Sequence, residues 1–547
     1  MIKSILSYTL CIGLSFCMCT AKAQKAVQQK FQVPVLKGRD INPILRLVVH
    51  VEDSGTPQFL NAAALSCSNP ELVAQFNIMS TGPDSSLMNQ EKLEKAVVFA
   101  HAGPNQKGKS LLKGNIKLNT GNNYFWLSVK VKPEASLQKA FQINVDAVTV
   151  GQQQLTVTTA GKNIAHRIGV ALRQHNQDNV NTHRIPGMTT ANDGSLLAIY
   201  DARYDSARDL QGNIDIGLSR STDGGQTWLP MQTVLDMGSW GGLPEKFNGV
   251  SDACILTDKK TGAIFIAGLW MYGVLNKEGK WIDGLTAAST DWNHQWREKG
   301  SQPGFEPKQT AQFLIIKSTD NGKTWSKPVN LTKMCKQESW WLWAPAPGAG
   351  ITMKDGTLVF PTQGRDATGK PFSNITYSKD GGLTWKTSTP AATEQTTENM
   401  AVELSDGSLM LNMRANTNRT DTSSHNGRAI STTKDLGQHW TVHPTSHKAL
   451  QEPTCMASIL KHQYTLNGQK KSMLVFCNPD DKSVRKNMTI KVSYDDGKTW
   501  QRKILLDEQK SRAYSCLTSL TDGTVGVVYE SSQADLVFQV ITLKELL

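Results

Sequence analysis

The chain lacks the marks of several large protein classes. Its 59 Lys and Arg outnumber 47 Asp and Glu, for a net charge of +12, yet they form no polybasic run. No nucleic-acid-binding motif accompanies them, so no nucleic-acid partner is expected. The surplus fits either a basic soluble protein or an affinity for anions. The nine cysteines contain no C-x-x-C pair, so no zinc or other metal site is expected. One or two disulfides stay open, although 547 residues can build a core without them. HExxH, P-loop and dinucleotide fingerprints are absent. Past residue 23 no stretch reaches 18 uninterrupted apolar residues, so no membrane span is expected.

What is present begins with an export pattern. Residues 1–23 carry Lys3, an apolar run from Ile5 to Met18, and Ala21-Lys22-Ala23 as a cleavage site. The mature protein is expected in the periplasm or outside the cell. Phe16 and Met18 flank Cys17 and Cys19 with bulk that a lipid anchor disfavours.

An internal repeat sets the fold class. The pattern S/T-x-D-x-G-x-T-W stands intact at Ser221–Trp228, Ser318–Trp325, Ser378–Trp385 and Ser493–Trp500, and degenerate at Thr433–Trp440. In such a turn Asp accepts backbone N–H groups, Gly permits positive φ, and Trp plugs the neighbouring strands. The D-x-G lacks the spacing of an EF-hand calcium loop. In a second register, six turns each precede a short apolar strand: Asp193-Gly194, Thr261-Gly262, Asp355-Gly356, Asp406-Gly407, Asn467-Gly468 and Asp522-Gly523. Six units of roughly 60 residues suit four-stranded blades. The expected fold is all-β: a six-bladed β-propeller over residues 166–547, its last blade completed by a strand near residue 170. Residues 24–165 lack the repeat and show alternating strand-like runs such as ILRLVVHV and YFWLSVKV, which predict a small N-terminal β-sandwich. A carbohydrate-binding role and a purely packing role are both open for it. An insertion near residues 271–312, with Trp281, Trp292 and Trp296, reads as a wall over a cleft or as a surface excursion.

The chemistry-bearing residues lie outside the turns. In chain order they are Arg184 in His183-Arg184-Ile185-Pro186, Arg203 and Asp209, Glu398, Arg414, Arg485, Tyr514 and Glu530. This ordered series, with the R-I-P motif and the Trp-turns, resembles the bacterial exo-α-sialidases (neuraminidases), in which those turns are called Asp-boxes. His183 departs mildly from that pattern, since an aromatic often stands there.

The resemblance implies roles. Arg184, Arg414 and Arg485 would grip the substrate carboxylate, a task suited to a planar, permanently charged fork. Glu530 would orient Arg184, and Arg203 would contact a ring hydroxyl. Tyr514 would be the nucleophile with Glu398 as its base, because a neutral phenol approaches an anionic anomeric centre without repulsion. Asp209 would be the general acid and base. Asp205 rivals Asp209, Glu403 rivals Glu398, and Asp252 is a weaker candidate on the sugar's side. The implied protein is a monomer that needs no cofactor and acts on sialylated glycans of glycoproteins, glycolipids and oligosaccharides. A transglycosylating relative of the same fold and a catalytically silent glycan-binding propeller remain alternatives.

Overall fold

A computed structural model describes residues 24–547 apart from 54, 211, 243, 274–281, 283–293 and 295–300. The export pattern and the three insertion tryptophans lie outside the described residues.

The first 160 residues supply one continuous nine-stranded sheet. Its strands alternate as half-buried strands do. Asn42–Val51 buries Leu45, Leu47, Val49 and Val51, while Arg46, Val48 and His50 face outward. Trp126 and Phe31 stack in its core at 5.2 Å. Where a small β-sandwich is expected, the strands form one continuous curled sheet. Lys25–Lys30 pairs antiparallel with Asn42–Val51 and parallel with Gln153–Ala160, so one strand joins both halves. The sheet curls until its edge strands meet, with Gly114 of Lys109–Leu118 seated against Phe99 of Val97–Ala102.

Beyond residue 165 the chain is a series of antiparallel meanders in a propeller-like arrangement. They do not divide into six separate hydrogen-bonded sheets, as the repeat count predicts. Among the described residues they form five. The first two meanders share a nine-stranded sheet, joined by a parallel pairing of Ile214 with Gly249. The last sheet closes on a strand from the start of the series: His166–Arg173 pairs antiparallel with Leu536–Ile541, Val170 opposite Phe538. It also takes in Val35–Lys37 and Ala140–Phe141 from the N-terminal part.

The repeated turns share one geometry. Ser221 Oγ accepts the Gly225 N–H at 2.9 Å and donates to Asp223 Oδ1 at 2.8 Å. Asp223 in turn accepts the Thr227 N–H and hydroxyl at 3.0 and 2.6 Å. Gly225 has φ +87°, and a Cβ there would collide with the Phe538 ring, on which Trp228 packs edge-on at 5.2 Å. The degenerate copy keeps the pattern: Thr433 replaces Ser, and His439 Nδ1 meets Asp435 Oδ2 at 2.7 Å where Thr otherwise stands.

The inner strands touch from one meander to the next. Thr189 and Thr257 hydroxyls meet at 2.9 Å, Thr190 and Thr518 at 3.0 Å, and Ser458 Oγ accepts the Leu517 N–H at 2.9 Å. The six described cysteines are buried and free, so the open disulfide question closes without a bridge among the described residues.

Candidate active site

Backbone irregularities at the starts of the inner strands aim side chains at the axis. In Thr182–Thr190 the pairing slips between Arg184 and Gly187, and Ile185 sits at φ 58°. In Asn248–Thr257 it slips between Ser251 and Cys254, with Asp252 at φ 54°. In Thr396–Glu403 it slips between Thr396 and Asn399, flanking Glu398. Ala513, just before Tyr514, has φ 65°. Positive φ is strained for a β-branched residue such as Ile, and bulges recur beside active sites because they re-aim a side chain.

These devices converge on Tyr514. Its hydroxyl donates to Glu398 Oε1 and accepts from Arg414 Nη1 at 3.0 Å. The guanidinium carbons of Arg184 and Arg485 each lie 5.5 Å from its ring centre. Three cations therefore surround one phenol. Each is held differently. Arg184 Nε donates to Glu530 Oε1 at 2.6 Å, and Nη2 to Oε2 at 3.3 Å. Arg414 Nη1 donates to Glu398 Oε2 at 2.5 Å. Arg485 donates to the carbonyls of Arg512 and Thr454 at 3.2 and 3.0 Å. Among the described residues no carboxylate oxygen lies within 4.0 Å of it. Arg414 Nε is buried with no hydrogen-bond partner.

Glu530 carries more than the Arg184 pair. It also accepts the backbone N–H of Ile185 and of Tyr514, both at 3.0 Å, and so pins both strained segments. Burial would raise its pKa, but Arg184 and the two N–H groups together hold it below the ordinary glutamate range. Tyr514 goes the other way. Burial first, then the Glu398 carboxylate, push it well above the ordinary phenol value, against the pull of Arg414 and Arg485. The phenol is neutral in the free protein.

Asp209 lies on the loop after Leu196–Arg203, with its side chain 68% exposed. It accepts from Arg203 Nη1 at 2.5 Å and lies 3.6 Å from Arg184 Nη1. Desolvation would raise its pKa, but the guanidiniums of Arg203 and Arg184 outweigh it and hold the carboxyl below the ordinary range. Arg203 is buried beneath it. It also donates to Asp201 Oδ2, at 3.1 and 2.8 Å, and to the Ala207 carbonyl. The rivals stand elsewhere. Asp205 lines a separate small cavity, and Glu403 lies at the opposite end of its strand, accepting the Lys354 N–H.

A cavity of about 180 Å³ opens here, lined by Asp209, Asp252, Glu398, Arg414 and Tyr514 among others. Sequence reading missed several of its parts. Gln363, Arg365, Asn416 and Arg419 also line it. Ser251 donates to Asp201 at 2.6 Å and completes the support of Arg203. No motif marks these residues. Asp252 is buried at the cavity wall, and desolvation, then Asp201 and Glu398, push its carboxyl far above the ordinary range.

Residues 194–527 match the family model described as a BNR repeat-like domain, and residues 23–154 match the N-terminal domain of BNR-repeat neuraminidase. A sialidase of Bacteroides fragilis is 40% identical over 500 residues, covering 91% of this chain and 84% of its own length. The chain belongs to the BNR-repeat neuraminidases. It is a sialidase, a glycoside hydrolase. The solved structure of the Hadza microbial sialidase Hz136 superposes with a TM-score of 0.83 at 35% identity, over 95% of this chain and all of that one. The intramolecular trans-sialidase from Ruminococcus gnavus, 20% identical with a TM-score of 0.53 over 68% of this chain and 97% of its own, shares the fold.

Proposed function

We propose that this sialidase is exported, acts as a monomer, and removes terminal α-linked sialic acid from glycoproteins, glycolipids and oligosaccharides, with retention, through a tyrosyl intermediate. The observation that carries the reading is Tyr514, neutral and buried, hydrogen-bonded to Glu398 and Arg414 within a cage of three guanidiniums. The unpartnered Arg414 Nε and the carboxylate-free Arg485 leave donors for a substrate carboxylate. In the first step the Tyr514 oxygen bonds to the anomeric carbon while Glu398 takes its proton. The glycosidic bond breaks, and protonated Asp209 gives its proton to the leaving oxygen. In the second step Asp209 takes a proton from water, whose oxygen bonds to the anomeric carbon. The tyrosyl bond breaks and Glu398 returns the proton. Arg203 acts through Asp209, which it holds.

The domain reading belongs with this proposal: a signal over residues 1–23, an N-terminal unit over 24–165, and a propeller over 166–547.

The test is release of fluorophore from a 4-methylumbelliferyl α-sialoside by the wild type and by Tyr514→Phe. The wild type is expected to turn over, and the variant to fall by more than about a hundredfold while staying folded. Near-normal release by the variant would remove Tyr514 from the mechanism. The mass of the sugar product separates hydrolysis from transfer.

A further inference from the structure

The inner strands that begin at the catalytic cavity end at a second one. Thr190, Thr257, Glu403 and Ser519, at the far ends of their strands, line a cavity of about 710 Å³ that shares no residue with the first. Its floor is largely apolar: the buried Met188, Met400, Ile459 and Leu517 lie beneath the half-buried Ile351, Met353 and Leu460. Its rim is cationic, with Lys259, Lys260, Lys354 and Lys461. Two carboxylates share the rim, but both are engaged by backbone. Glu403 accepts the Lys354 N–H at 2.9 Å, and Asp355 the Thr357 N–H at 2.8 Å. Among the described residues no carboxylate oxygen lies within 4.0 Å of any of the four lysine ammoniums. Lys259 Nζ donates to the Thr190 carbonyl at 2.7 Å and keeps two donors.

We propose that this cavity binds an amphipathic anion of the long-chain carboxylate class, its head among Lys259, Lys354 and Lys461 and its chain on Met188, Met400, Ile459 and Leu517. Thioether and alkyl groups offer a sugar no hydrogen bonds, and the hydroxyls among them are engaged, Thr189 with Thr257, Thr190 with Thr518 and Ser519 with His462, whereas the apolar groups reward an apolar body that leaves water. Four ammoniums against two carboxylates leave this rim net positive, which favours a single negative head. Point-like lysines, in place of arginine forks, make no demand for bidentate geometry.

The test is calorimetric titration of the full chain with decanoate below its micelle concentration, with decanol and acetate as controls. One saturable site per chain is expected, with decanoate at least tenfold tighter than either control. Lys354→Ala combined with Lys461→Ala is expected to weaken decanoate at least tenfold while sialoside hydrolysis stays at the wild-type rate. No saturable heat, decanol binding as tightly as decanoate, or an unaffected double variant would each overturn the proposal. Competitive inhibition of sialoside hydrolysis by decanoate would place the ligand in the catalytic cavity and overturn it too.

Discussion

Glu530 shows how much one buried carboxylate can organise. It neutralises Arg184 and pins the N–H groups of Ile185 and Tyr514, so the proposed nucleophile and one proposed carboxylate-binding cation share a support. Removing one partner of a buried pair leaves the other charge uncompensated. Glu530→Gln is therefore expected to destabilise the fold toward the lower end of about 3–5 kcal/mol in urea unfolding; an unchanged midpoint would contradict that role. Asp209 makes a second residue-scale prediction. In the free protein Arg203 and Arg184 hold it ionised, the wrong state for an acid. A bound substrate carboxylate would neutralise part of that field and raise its pKa. Since kcat reports the complex and kcat/KM the free enzyme, the basic limb of kcat should lie at higher pH than that of kcat/KM. Coincident limbs in the two profiles would argue against Asp209 as the acid.

At the scale of elements, the repeated turn and the strand bulge do different work. The turn is a stabilising staple in five of the meanders. Its aspartate accepts these hydrogen bonds most strongly when ionised. In the Ser378 copy, hydrogen bonds from the Thr384 hydroxyl and N–H and from Ser378 lower Asp380 to about 2. A depressed folded-state pKa gives stability that is present above the unfolded value of about 3.9 and is lost as pH falls through the folded one. Asp380→Asn should therefore shrink the fall in melting temperature between about pH 4 and pH 2; an identical acid fall would remove the turn from that account. The turns were legible because their chemistry is local, within eight residues. The bulges at Ile185 and Asp252 were not, since an R-I-P tripeptide does not reveal positive φ at its centre. Nor was the parallel pairing of Lys25–Lys30 with Gln153–Ala160, which turns the expected sandwich into one curled sheet. The alternation in each strand is local, whereas the partner lies about 130 residues away.

For the whole molecule, chain order becomes order around an axis, and that is why an ordered residue series could be read at all. Arg184, Glu398, Arg414, Arg485, Tyr514 and Glu530 come from four meanders, Glu398 with Arg414 in one and Tyr514 with Glu530 in another, and meet because inner strands begin, and the strands after them end, at the same mouth. Asp201, Ser251, Arg365 and Arg419 are brought to that mouth by the same closure, but no spacing in the sequence announces them. Counting turns likewise counts meanders and not hydrogen-bonded sheets, so the junction of Ile214 with Gly249 had no signal. In the proposed mechanism this assembly delivers one neutral phenol to an anionic sugar. The measurement that tests it most directly is peptide mass mapping after reaction with a 2,3-difluorosialic acid, whose fluorines slow breakdown of a covalent intermediate. The sugar mass should appear on the peptide containing Tyr514 and vanish in Tyr514→Phe. A sugar on a carboxylate peptide, or no adduct from an enzyme that turns over the fluorogenic sialoside, would contradict the tyrosyl mechanism.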